Sequence, residues 1–212
     1  MTGYLLKSLV FGGVISIVAW STALANEVSI PFQIKVKQFN SIASNYLDAP
    51  TFVAINDKSK YDQLILKVDL IEKSKITRET GALYEVLAFS EKESRFDNAI
   101  KAIDKYLKWH DIASADKDIF TKRIDWVKYN SGSHNEFIFH SGNAENHYLK
   151  IKKHNLANSL NFDVTKSPNQ QSQPPEFVFD KENAILLRKL LVDWRDGKFE
   201  DRLNLDLDDK YK

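Results

Sequence analysis

Apolar and polar side chains alternate cleanly in Phe32-Gln-Ile-Lys-Val-Lys, the period-two pattern of a strand with one buried face. Phe32, Ile34 and Val36 face inward and Gln33, Lys35 and Lys37 outward. Residues 40–50 read as a connection with a helical turn over 41–47. Thr51 to Ile55 predicts a second strand, and residues 56–60 a polar turn. Leu64, Leu66, Val68 and Leu70 then share one face of a third strand. A loop over 73–81 leads to Leu83-Tyr-Glu-Val-Leu-Ala-Phe89, apolar on both faces as a central, doubly covered strand would be. The period then changes. Phe96, Ile100, Ile103 and Leu107 recur at helical spacing, widened by Ala99 and Tyr106, with Lys101, Asp104, Lys105 and Lys108 on the wet side. Ser90-Glu-Lys-Glu93 matches a capping box, and Ser94 offers a second cap.

The same order follows again. Phe120, Ile124 and Trp126 alternate with Arg123 and Asp125 in a strand running to Tyr129. Residues 136–140 and 146–152 form a hairpin, and 155–175 is irregular, with a short strand over 161–164. Phe177-Val-Phe179 supplies the last core strand. Asp180 is a good N-cap for a helix carrying Ile185, Leu187, Leu190, Leu191 and Trp194, which Gly197 should end. The tail over 198–212 is acidic and reads as disordered.

Two segments repeat at one offset. DNAIKAIDKYLKW from Asp97 lies over ENAILLRKLLVDW from Glu182, matching Asn, Ala, Ile and Trp 85 residues apart. The same offset brings Phe52, Leu64, Leu66 and Lys67 onto Phe137, Leu149, Ile151 and Lys152. Amphipathic patterning alone does not predict a shared Asn-Ala and terminal Trp, so an internal duplication is expected. The fold class is therefore α+β. Two four-stranded antiparallel units, each closed by a helix, form (ββββα) twice over about 32–113 and 119–197. Together they make one pseudo-symmetric domain over 26–197, because neither unit can bury its own faces.

The N-terminus changes where this domain is expected to work. Residues 9–24 are nearly continuous apolar sequence ending in Ala23-Leu24-Ala25, the small-x-small pattern of a signal-peptidase site, so 1–25 reads as a cleavable signal peptide. An uncleaved segment would be the one route to membrane attachment. The product is expected to be periplasmic or secreted. Thirty basic and 29 acidic residues give a net charge of +1, and the leader carries only Lys7. A neutral mature chain has no chain-wide grip on nucleic acid or anionic lipid. The lack of cysteine removes disulfides, thiolate nucleophiles, Cys-ligated zinc and lipoprotein acylation.

Candidate chemistry is sparse. His134, His140, His147 and His154 are spaced by six or seven residues, but burial of Phe137, Phe139, Leu149 and Ile151 sends His140 and His147 to opposite faces of the hairpin. It also sets Glu136 against Lys150. Ligand spacing such as HExxH is absent, so no metal or cofactor is expected. Glu85, among apolar neighbours, could serve as the general acid of a hydrolase. Without a second catalytic partner it reads better as a rim glutamate paired to lysine or backbone. Lys35, Lys37, Lys67, Lys150 and Lys152 fall on outward strand faces, with Tyr61, Tyr129 or Tyr148 available for stacking. They are the candidate binding residues for an anionic polymer or single-stranded nucleic acid.

The (ββββα)-twice order is similar in topology to the Whirly and Pur-repeat single-stranded nucleic-acid binders over most of the mature chain. The Lys-Gly-Lys-type motif of Whirly proteins is absent, so no residue roles carry over. Read from Asp97, helix followed by strands also resembles a cystatin-type unit, whose exported members bind and inhibit enzymes, although that family's wedge motifs are missing. The leading expectation is an exported, non-catalytic binding protein acting on a protein partner or envelope component.

Overall fold

Burial of alternate side chains sets the strand registers. In the computed structural model, which describes residues 27–40, 45–56, 63–69, 84–155 and 176–199, Val53 lies opposite Leu66, and Leu66 opposite Leu87. Ile55, Leu64 and Phe89 form a second buried row, and a slip of one residue would expose both rows. These rows belong to a four-stranded antiparallel sheet. Its strands are β1 (Glu27–Ile30), β4 (Thr51–Asn56), β5 (Gln63–Asp69) and β6 (Tyr84–Ser90), in that spatial order. The helix α1 (Arg95–Asp116) follows directly, after a short 3-10 turn.

The second sheet has six strands. β7 (Thr121–Asn130), β8 (Ser133–Ser141), β9 (His147–Asn155) and β10 (Glu176–Phe179) form an antiparallel meander followed by α2 (Lys181–Arg195). The hairpin of β2 (Val36–Asn40) and β3 (Asn45–Ala49) adds two strands beside β10. In each sheet the last strand of the series leads into a helix, β6 into α1 and β10 into α2, but in the four-stranded sheet the chain leaves for the β2–β3 hairpin between β1 and β4. The chain is α+β with two antiparallel sheets and two helices.

Four local expectations are corrected. The alternating segment from Phe32 becomes a strand only at Val36. Residues 45–47 of the expected helical turn belong to β3, whose Tyr46 packs edge-on against Phe39 while Asp48 meets Lys37. Cross-strand pairs of this kind outweigh a weak helical pattern. Strand β6 is an edge strand rather than a central one. Its second face is apolar because Ala88 packs with Tyr129 of the other sheet, and Asn135 and Lys153 donate to the Ala88 and Val86 carbonyls at 2.9 and 2.8 Å. The capping box over Ser90–Glu93 is also absent, since the Ser90 hydroxyl accepts from Lys92 N. At the other helix the expectation holds: Asp180 accepts from Asn183 N at 2.9 Å, and Gly197 closes α2 at φ 74°. The N-terminal apolar run, Tyr61, the loop over 73–81, the strand over 161–164 and the tail beyond residue 199 lie outside the described residues.

The inner faces of both sheets and the apolar stripes of both helices form one continuous core. The helices run antiparallel, and three ion pairs cross between them at seven-residue steps: Asp111 with Lys181, Asp104 with Arg188, and Asp97 with Arg195. A seven-residue step is two helical turns, so all three pairs lie on one seam, with every acid on α1 and every base on α2. Arg188 engages both Asp104 oxygens. These pairs are exposed and select direction and register more than they add stability. A double-mutant cycle on Asp104→Arg and Arg188→Asp should return a coupling of about 0.5–1 kcal/mol, with the swapped pair recovering what either single change loses. Additive losses would separate the two side chains.

Candidate functional site

The structure divides the five candidate lysines between two sheets and gives each a carboxylate. Lys67 lies on β5 in the four-stranded sheet and binds Glu27. On the six-stranded sheet and its approach, Lys35 and Lys37 meet Asp48 at 3.1 and 2.7 Å, and Lys37 also reaches Asp180 at 3.2 Å. Lys150 and Lys152 share Glu176 at 3.5 and 4.0 Å. Burial acts to lower the Lys37 pKa, but the hydrogen bonds it donates to Asp48 and Asp180 overcome it and hold the ammonium above its ordinary range. The Lys37 bond leads the causes holding Asp48 below the usual carboxylate range. Of the tyrosines, Tyr129 is buried, and Tyr148 packs on Tyr46 with ring centroids 5.1 Å apart.

The histidines take the faces that apolar burial required. Phe137 and Phe139 pair with Ile151 and Leu149 on the inner face, which sends His147 inward and His140 outward. The partner of Glu136 in the ladder is Lys152 rather than Lys150, a two-residue shift that preserves every face. His147 is buried, with Nδ1 2.9 Å from the Ser141 hydroxyl, and its carbonyl accepts from the Tyr106 phenol. Burial also holds its imidazole below the ordinary range. His134 and His154 face each other on the outer side, rings stacked 5.1 Å apart, and Trp126 lies against both. His154 Nε2 is 3.0 Å from Glu136. Among the described residues, no group of three His, Asp or Glu side chains converges tightly enough to hold a metal. Glu85 is half-buried at the sheet rim beside Lys153, where its charge partly offsets the burial that holds the Lys153 ammonium below its ordinary range.

A groove of about 290 Å³ opens elsewhere, between the end of α1 and the start of β7. Trp109, Ile112 and Ala113 come from the helix, Asp118 and Phe120 from the connection, and Lys122 from the strand. The connection is held tightly. Lys117 ends α1 in the left-handed conformation, and the amides of Lys117 and Asp118 both donate to the Ala113 carbonyl. Phe120 and Ser141 clasp each other, Phe120 N to the Ser141 hydroxyl and Ser141 N to the Phe120 carbonyl. Beneath the groove Phe120 stacks on Phe139 at 4.5 Å and Trp109 meets both rings edge-on. Lys105 and Lys122 lie over the Trp109 ring at 5.0 and 5.4 Å. Ile112 at the groove and Ile119 beside it are 48% and 66% exposed, among the largest exposures of any apolar side chain described.

Sequence patterning places Trp109 near the end of the repeated helix motif, where it could cover the core or mark where the copies meet, and passes over Ile112 and Ile119. A signal was available in both. Ile112 falls off the stripe of Phe96, Ile100, Ile103 and Leu107, and Ile119 stands in the polar run Ala115-Asp-Lys-Asp118, neither with a core position to fill. No protein-family model matches the chain, and no curated protein or solved structure matches it significantly.

Proposed function

We propose that this chain is an exported, non-catalytic binding protein that engages a protein partner or envelope component through the groove between α1 and β7. The observation that carries the reading is the pairing of exposed Ile112 and Ile119 with an aromatic floor fixed from three directions. Rigid aromatic anchors with adjacent exposed aliphatics are the features of an interface centre. Ion pairing of all five candidate lysines weighs against the same residues acting as a polyanion grip at neutral pH.

Export rests on the apolar run ending in Ala23-Leu24-Ala25. Duplication is the architectural part of the proposal. The 85-residue sequence offset brings β4 onto β8, β5 onto β9 and α1 onto α2, and the antiparallel helix seam has as its middle pair Asp104 and Arg188, 84 residues apart. Two copies related by a two-fold axis would place that axis at equivalent residues of the two helices, within one residue of this pair.

Ile112→Glu combined with Ile119→Glu should leave stability within about 0.5 kcal/mol of wild type, since both side chains are already in water. The double variant should lose the partner that immobilised wild-type protein retains from envelope extract. Identical retained species for both proteins would remove the groove from the proposal.

A further inference from the structure

The outer face of β7, β8 and β9 is a lattice of chemistry-bearing side chains that the groove does not use. Across it, Lys128, His134 and His154 form one row; Trp126, Glu136 and Lys152 the next; Arg123, Ile138 and Lys150 a third; and Thr121, His140 and Tyr148 a fourth. Glu176 on β10 extends the second row. Thr121, Arg123, Trp126 and Lys128 are exposed, and the polar members on β8 and β9 are half-buried. Same-face neighbours lie ~7 Å apart along a strand and ~5 Å across, so the patch measures roughly 20 by 15 Å.

We propose that this face binds an acidic polysaccharide, and that protonation of His134 and His140 strengthens the binding as pH falls. At neutral pH four bases, Arg123, Lys128, Lys150 and Lys152, stand against two acids, Glu136 and Glu176. Protonation of His134 and His140 adds two further positive charges. The groups each imidazole faces are compatible with this. His134 meets His154, Lys128 and Glu136; His154 meets Glu136 directly; His140 contacts the Thr121 hydroxyl at 2.9 Å and senses Lys150, Lys152 and Glu176. Burial holds His134 and His140 below the ordinary imidazole range, so both are neutral at pH 7 and a bound anion would favour their charged forms.

The interleaved carboxylates choose the polymer. A backbone with one phosphate per unit meets repulsion at Glu136 and Glu176. A polymer with hydroxyls between spaced carboxylates finds acceptors in those same residues and donors in the lysines, imidazoles, Thr121 and Tyr148. Trp126, 41% exposed and held by Arg123 at 5.3 Å, adds an apolar surface for a sugar ring.

The test is calorimetric titration of the intact protein with polygalacturonate at pH 5.5 and 7.5 and low salt, with dextran and poly(dT) as separate arms. Binding should be about tenfold or more tighter at pH 5.5 and weaken with salt. Binding at pH 5.5 should also take up protons, read from its dependence on buffer ionisation enthalpy. Dextran should not bind. The variant His134→Gln, His140→Gln should lose the pH response. Proton uptake by the wild-type protein tests the same point without any variant. Equal affinity at both pH values, no binding at pH 5.5, or no proton uptake would overturn the proposal. Poly(dT) binding as tightly as polygalacturonate would overturn the polysaccharide assignment.

Discussion

Trp194→Ala should lower stability by about 3 kcal/mol, toward the lower end of the range for large-to-small changes in a core. The indole is 6% exposed and packs edge-on against Phe96 and face-on against Phe199. Its Nε1–H has no acceptor among the described residues, so part of what the ring gains by burial is already offset. Trp194→Phe, which removes that donor and keeps most of the ring, should cost distinctly less. Trp109, its counterpart at the 85-residue offset, is half-buried with its faces toward Lys105 and Lys122, so Trp109→Ala should be the milder change. Chemical denaturation of the three variants decides the matter. Equal losses at the two tryptophans would show that the groove is core.

Asn183→Ala should cost about 2–3 kcal/mol and Asn98→Ala almost nothing. Asn183 is buried, accepts from Lys35 N at 2.8 Å and donates to Asp180 at 2.8 Å, tying the approach to β2 to the start of α2. Its removal leaves a backbone amide without its acceptor and loosens the helix cap. Asn98, at the matching position of α1, faces solvent. A loss above about 1 kcal/mol at Asn98, or below it at Asn183, would contradict this division.

The repeated motif therefore holds different things at its two sites. Ala99 and Ala184 are both fully buried, as close helix-to-sheet contact requires, yet Ile100 is buried and Ile185 is 46% exposed. Period, and with it the face each side chain takes, is a local property of a chain, and it was legible, whereas the β8–β9 register differs from the expected one by two residues. The helices, the faces of the β8–β9 hairpin and the Asp180 cap all follow from side-chain spacing. Which sheet a strand joins depends on contacts distant in sequence. The β2–β3 hairpin joined the six-stranded sheet because Val178 of β10 lies beside Lys37, a pairing that no nearby residue announces. Strand β6 likewise owes its two apolar faces to Tyr129 on the other sheet.

The candidate site was less legible for the same reason. Lysines on outward faces are visible in the sequence, but the acids that neutralise them are not. Asp48 and Glu176 reach Lys37, Lys150 and Lys152 from neighbouring strands, and Glu27 reaches Lys67 from β1 across β4. The groove forms where the end of one helix meets the start of the next strand, so its six lining residues are close in sequence and span two secondary structures. Ile112 lies off the apolar stripe and Ile119 follows a polar run, but that the two flank one groove shows only once β7 is placed beside the end of α1.

Photo-crosslinking in the native host tests the binding role most directly. A photoreactive side chain at Ile119 should yield discrete higher-mass adducts, and these should disappear when Ile112 is also changed to Glu. The same probe at Lys101, exposed on α1, should yield none. No adduct from position 119, or the same adducts from both positions, would contradict the account.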